Sequence, residues 1–334
     1  MWFRWDAGWY FTIVKEGYRM VENVYTVSNL AFFPVYPLLV RLITGAFPSD
    51  LVTDELLVSV GVILSNLFLI GSLALMYKIS SNIFKNKKIA IRANWLLLTF
   101  PKAFFLSSFY SESTFLFLSL LTIWLAKKRR WFWACLAGAV AATTRSVGLI
   151  IALPLIWEYL ESKKWQLKKI DFSILWFGLV PVGVLVFFSY LYYLTGDFLA
   201  AIKVQSAWGR QITGPVISFL KPTGYWPFVT ALDRIVMLGV VIGSLKMALG
   251  SIKPLIPLGF YSLLIILPPL FTGTLDSVSR YALVAFPVFM YLSYLVEKIE
   301  NKTLRRGIVV VGGMVMMVLQ LVLFARYSQF YWAG

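Results

Sequence analysis

The sequence predicts an all-α protein, a polytopic bundle of about ten membrane helices with interfacial helices near its N-terminus. Three observations predict it. Of the 334 residues 60% are hydrophobic and only 14% charged, where a soluble domain carries about 25% charged residues. Mean hydropathy is +0.78, and the apolar stretches recur along the whole chain, which excludes a soluble protein with one anchor. The basic residues gather in alternate connections between those stretches, as they do in a chain that crosses a membrane repeatedly.

The chain opens MWFRWDAGWY, with Arg4 and Asp6 inside the aromatic run, which does not fit a cleavable signal peptide. Residues 3–18 are aromatic and amphipathic. Residues 29–47 (NLAFFPVYPLLVRLITGAF) are apolar but interrupted by Pro34 and Pro37. Both predict helices that lie in the membrane interface. A spanning helix needs roughly 20 mostly apolar residues, and residues 56–78, 173–195, 228–247, 254–271, 281–296 and 307–324 supply them. From 93 to 159 the pattern is choppier and predicts four shorter helices, at 93–108, 113–126, 131–142 and 147–159. The last two are short for a full span, so the helix ends near Arg145 are expected to meet in a protein-lined or watery cavity. Residues 1–334 read as one integral membrane domain, with an extracytoplasmic segment over 1–55 and the bundle over 56–326.

Alternating the helices brings Lys78, Lys85, Lys87, Lys88, Arg92, the run 127–130, Lys163, Lys164, Lys168, Lys169, Lys246, Lys253, Lys298, Lys302, Arg305 and Arg306 to one side. That side holds 19 of the 31 basic residues and 5 of the 15 acidic ones; the other holds 12 and 10. The positive-inside rule makes the first side cytoplasmic. The net charge of +16 is therefore mostly topology, and nucleic acid is not an expected partner. The sequence has no histidine, which removes imidazole acid–base chemistry, Ser-His-Asp triads and histidine metal sites. Cys135 is alone, so no intrachain disulfide forms.

Ionisable residues at membrane depth are costly and are functional candidates by default. Asp6 stands in RWDAGWY; it either caps a helix beginning at Ala7 among belt tryptophans or carries chemistry. Glu112, in SFYSEST, either opens a helix with an acid that suits the macrodipole or serves a site. Arg145, in ATTRSVG, either snorkels or completes a polar corner with Thr143, Thr144 and Ser146. Arg280 and Tyr281, in DSVSRYALVAFP, start a span from the side opposite the basic clusters, against the positive-inside trend. Arg210, in SAWGRQ, lies in the long connection over 196–227. A carboxylate can deprotonate a hydroxyl and guanidinium groups pair with phosphate. Together they suit an enzyme whose donor is a lipid phosphate.

RWDAGWYFTIVKEGY followed by NLAFFPVYPLLVRLI resembles the opening luminal segment of PIG-V-like mannosyltransferases, relatives of GPI mannosyltransferase II. TFPKAFFLSSFYSESTFLFLSL resembles their helix–loop–helix with a Ser-Glu pair. ATTRSVGLIIALPLIWEYL and SVSRYALVAFPVF resemble their later arginine corners. The matches run in the family's order from Arg4 to Phe289. The resemblance implies a GT-C fold and a membrane mannosyltransferase that draws sugar from a polyprenyl (dolichyl) phosphate. It implies transfer, with inversion, to a glycan, glycolipid or protein acceptor outside the cytoplasm. Asp6 would be the general base, and Glu112 would bind the acceptor or act as a second acid. Arg4, Trp5, Lys102, Arg145, Arg210, Arg280 and Tyr281 would contact substrate. No cofactor is expected; no Asp-x-Asp pair adjoins Asp6, so an obligatory metal is not expected, though a divalent metal is left open.

The family pattern also has a membrane helix ahead of the RWD-type motif, and here five residues precede Asp6. The expectation is a start placed too late or a degraded copy. The length favours a prokaryotic plasma membrane, with the endoplasmic reticulum as the eukaryotic counterpart. Two other functions stay open, a transporter or flippase of lipid-linked or anionic substrates and a non-catalytic subunit of a glycosylation complex. A transporter predicts matched halves with interrupted helices at the midplane, and no internal symmetry is evident.

Overall fold

The computed structural model describes residues 2–19, 23–221, 226–273, 275 and 277–331. These form helices and connections, with no strand among the described residues. In chain order the α-helices are α1 (Ala7–Glu16), α2 (Val35–Thr44), α3 (Asp54–Phe84), α4 (Lys87–Thr99), α5 (Glu112–Lys127), α6 (Trp131–Ala142), α7 (Ala152–Ser162), α8 (Leu179–Thr195), α9 (Ala200–Lys203), α10 (Pro215–Leu220), α11 (Pro227–Ala248), α12 (Ile256–Leu270), α13 (Val278–Val284), α14 (Pro287–Glu297) and α15 (Lys302–Ser328). Five helical stretches are long and apolar enough to cross a membrane. They are Asp54–Phe84, Phe172–Thr195, Pro227–Ala248, Lys253–Leu270 and Lys302–Ser328, and a bent pair, α13 with α14, makes a sixth if counted as one span. The chain is a multi-pass membrane protein.

The ten apolar segments all become helical, but not all as drawn from the sequence. The segment 281–296 is not one helix, because α13 and α14 meet at 75°. The break falls at Ala285, which leaves the helical region at ψ 44°, and Pro287, with no N–H to continue the ladder, is the first residue of α14. Likewise 93–108 ends as an α-helix at Thr99. Phe100, before Pro101, is extended at ψ 138°, and a 3-10 turn over Ala103–Ser107 follows. Both breaks lie beside the residues that matter below.

The core is built around α5, whose buried residues lie on all sides of the helix, as expected of a helix hydrophobic all round. It packs between α3 and α6, while α11 packs on α12 and α4 on α14. Small residues allow the closest approaches, as is usual between membrane helices. A Cβ on Gly259 of α12 would lie 2.5 Å from the Ala248 nitrogen of α11. By contrast, only 6% of the apolar window of α15 is buried, which leaves that helix on the periphery.

The opening segment is part of the bundle. α1 buries Ala7, Tyr10, Ile13 and Val14, spaced along one helical face, and packs against α2, which packs against α3. Residues ahead of it are pinned by the turn before α5. The Phe109 N–H donates to the Trp2 carbonyl at 3.2 Å and the Tyr110 hydroxyl to the Arg4 carbonyl at 2.8 Å.

Candidate active site

α1 begins at Ala7, where the sequence places it, yet the Asp6 side chain makes no capping hydrogen bond. Trp5 just before it sits in the left-handed region at φ 56°, a conformation that costs an L-residue roughly 1–2 kcal/mol. The Asp6 carboxylate is spent elsewhere. Its Oδ2 accepts from Arg280 Nη1 at 2.7 Å, and its side chain remains 24% exposed, so it is open to a substrate. Among the described residues Oδ1 accepts no hydrogen bond.

Arg280 comes from α13, the short helix before the break, and is buried. Its Nε and Nη2 reach Glu112 Oε1 at 3.0 and 2.8 Å. Arg145, just past the end of α6, reaches the same oxygen through Nη1 at 2.7 Å. Glu112 opens α5 and is fully buried, and one of its carboxylate oxygens gathers two guanidinium groups, while among the described residues its Oε2 has no hydrogen-bond partner. Rings surround the charges: Arg280 lies 4.6 Å from the Phe105 centroid and 4.8 Å from that of Tyr110, and Arg145 lies 5.5 Å from that of Tyr281. Tyr10 of α1 shares a 2.7 Å hydrogen bond with Ser111, and Ser111 also accepts from Arg145 at 3.4 Å. Burial, opposed in part by the nearby Arg145, pushes the Tyr10 phenol up to about 12.

These groups face a cavity of about 370 Å³ lined by Trp5, Asp6, Trp9, Tyr10, Arg145, Arg210, Arg280 and Tyr281, together with Phe32, Thr144, Ser146, Gln205, Trp208 and Ser277. A second cavity of about 430 Å³ adjoins it and is apolar, with Val147, Leu149, Val184, Phe188, Ile202, Ile212, Pro268 and Pro269 in its walls. Phe33, Ser146, Gln205, Arg210 and Tyr281 line both. Arg210 donates to Gln205 at 3.0 Å on that shared wall.

Of the residues the sequence singles out, Asp6, Trp5, Arg145, Arg210, Arg280 and Tyr281 therefore come together at one cavity. Glu112 does not line it; it stands behind the two arginines. Arg4 is also elsewhere. Its Nε donates to the Ser328 carbonyl at 3.3 Å and its guanidinium lies 4.2 Å from the Phe330 centroid, so it ties the N-terminal segment to the end of α15. Lys102 is fully buried 3.7 Å from Asp233 and lines neither cavity. Asp276, in the last arginine corner, lies outside the described residues.

Sequence reasoning missed Gln205, Trp208 and Asp233. Trp208 and Gln205 precede Arg210 in an irregular connection, where no periodicity marks a wall. Asp233 did carry a signal, an acid inside an apolar span.

Comparison with known proteins finds a match over the first part of the chain. Residues 2–162 match the sequence pattern of the family described as Mannosyltransferase (PIG-V). That stretch contains Asp6, Glu112 and Arg145. Over that stretch, just under half of its length, the chain is similar to the PIG-V family. GPI mannosyltransferase 2 of Drosophila pseudoobscura pseudoobscura is 30% identical over 207 residues, a region that covers 57% of this chain and 44% of that protein. The chain thus spans less than half the length of this curated relative.

Solved structures extend the likeness to the whole fold of the chain. ArnT from Cupriavidus metallidurans, bound to undecaprenyl phosphate, superposes with a TM-score of 0.54 at 12% identity, over 97% of this chain and 67% of that one. The Archaeoglobus fulgidus oligosaccharyltransferase in the apo form gives 0.57 at 14% identity, over 99% and 53%. The Archaeoglobus fulgidus oligosaccharyltransferase AglB, in complex with an inhibitory peptide and a dolichol-phosphate, gives 0.56 at 13%, over 98% and 52%. At these identities the likeness is one of fold alone.

Proposed function

We propose that this chain is a membrane mannosyltransferase that takes its sugar from a polyprenyl phosphate. The observation that carries the proposal is the pair of adjoining cavities. One is polar, with a carboxylate and three arginines; the other is apolar; and Arg210 and Tyr281 stand in the wall between them. A lipid-linked sugar phosphate has the same division, with a charged diester joining a sugar to a long apolar chain. Arg145, Arg210 and Arg280 hold the phosphate, and the apolar cavity takes the first part of the chain.

Asp6 serves as general base. Its Oδ1 accepts the proton of an acceptor hydroxyl as that oxygen bonds to the anomeric carbon, and the bond from that carbon to the phosphate oxygen breaks with inversion. The polyprenyl phosphate leaves with the bonding electron pair, and its added negative charge is met by the arginines. Glu112 is a positioning residue in this scheme, since it reaches the substrate only through Arg145 and Arg280. The charge asymmetry of the connections supports a site on the extracytoplasmic face, and we place the chain in a prokaryotic plasma membrane. A transporter reading is less favoured, because the ionised groups gather at one cavity where α1, α5, α6 and α13 meet.

The test is sugar transfer from polyprenyl-phosphate mannose to a mixed lipid and glycan extract in liposomes, wild type beside Asp6→Asn. A mannosylated product from wild type alone supports the proposal. Full turnover by Asp6→Asn removes the base.

A further inference from the structure

We infer that Asp233 and Ser279 form a second, buried set of contacts whose role is to hold Arg280 in register, which makes both of them positioning residues of the proposed reaction. α13 is only seven residues long, starts from a left-handed Ser277 at φ 67° and ends at the 75° break. A helix so short has no stability of its own, so the direction of its side chains must be fixed from outside. Ser279 and Arg280 are neighbours in it, and one residue in an α-helix turns the side chain by about 100°. Arg280 faces Asp6 and Glu112. Ser279 faces α11, where its hydroxyl donates to Asp233 Oδ1. The same oxygen lies 3.7 Å from Lys102 Nζ, which comes from the turn after α4.

Lys102 and Ser279 are fully buried and Asp233 nearly so. A buried charged pair is a poor source of stability compared with apolar packing of the same volume, which makes its presence here a sign of function. The pair gives the Ser279 hydroxyl an ionised acceptor, and such hydrogen bonds are about twice as strong as neutral ones. Rotation of α13 that would draw Arg280 away from Asp6 must first break this bond. The role in donor binding rests on the function proposed above; the register itself does not.

Two measurements separate the two. Phenylglyoxal labelling followed by peptide mass spectrometry reads how shielded Arg280 is, with Arg92, paired to Glu297 at 2.8 Å, as the reference. Ser279→Ala is expected to speed labelling of Arg280 several-fold and leave Arg92 unchanged, while Ser279→Thr, which keeps the hydroxyl, restores shielding. Unchanged labelling of Arg280 in Ser279→Ala, or equal gains at Arg280 and Arg92, overturns the inference. Binding of undecaprenyl phosphate is expected to weaken several-fold in Ser279→Ala, as Arg280 loses its register. In an Arg280→Lys background the same change is expected to cost less than about twofold. The full several-fold loss there means that Ser279 does not act through Arg280. A wild type that binds no polyprenyl phosphate, with the labelling result intact, overturns the donor reading and leaves the register role supported.

Discussion

Arg280 Nη1 lies 2.7 Å from Asp6 Oδ2, an ion pair between residues 274 positions apart. It joins the first helix to the last arginine corner, and Glu112 Oε1 holds the same guanidinium from behind at 2.8 Å. The base and the phosphate ligand proposed here are thus parts of one charged assembly, and most of the predictions below probe it.

Asp6→Asn is expected to lower sugar transfer by roughly 10²–10⁴, the usual worth of a positioned general base. Its carboxylate caps nothing and is partly exposed, but it pairs with buried Arg280, which keeps Glu112 as a second partner, so the melting temperature in detergent should fall less than in Glu112→Gln below. Transfer assays beside a thermal shift measurement check both halves.

Glu112→Gln is expected to behave differently. It leaves two buried guanidinium groups facing a neutral amide, and breaking a buried ion pair costs about 3–5 kcal/mol. A marked fall in stability should accompany the loss of activity. If Glu112→Gln melts like wild type, the two arginines do not depend on it.

Arg4→Ala tests the placement of Arg4 at the end of α15. Arg4 binds the Ser328 carbonyl and lies over Phe330, not over the cavity. Donor KM is expected to stay within about twofold of wild type, whereas Arg210→Ala, on the wall shared by both cavities, should raise it about tenfold or more, since hydrogen bonds to charged groups are worth roughly 1.5–3 kcal/mol. Steady-state kinetics on the two variants compares them directly.

Tyr10→Phe should leave the alkaline limb of the pH–rate profile where it is. With its phenol pushed up to about 12, Tyr10 stays neutral through pH 10 and does not titrate in the working range. What is lost is the hydrogen bond to Ser111, worth about 1 kcal/mol. An alkaline limb that moves in the variant would assign Tyr10 a proton-transfer role instead.

Gly61→Ala is expected to destabilise the bundle by about 1–3 kcal/mol through overpacking. A Cβ there would lie 2.2 Å from the Phe109 ring, beside the Tyr36 hydroxyl that donates to the Gly61 carbonyl at 3.0 Å. Thermal unfolding in a fixed detergent reads the difference.

The sequence by itself determined the solvent of this chain and the residues worth watching. Apolar runs of membrane length have few alternatives to helix, because an unpaired backbone group in hydrocarbon is too costly, and α6 falls over Trp131–Ala142 as its pattern predicts. The price of burying charge likewise made Asp6, Glu112, Arg145 and Arg280 legible as candidates from their positions alone. Only the tertiary structure decided their partners. Asp6 stood at a helix start, where a cap and a site role were both open, and the fold gives its carboxylate to Arg280 from the far end of the chain in place of a cap. Arg4 and Lys102 looked as suitable as Arg145, yet one serves the end of α15 and the other a buried aspartate. Charge and spacing along a chain say that a group must be paired; which group pairs with it depends on how the helices pack. That packing is set by contacts such as Gly259 against Ala248 and by the breaks at Pro101 and Ala285.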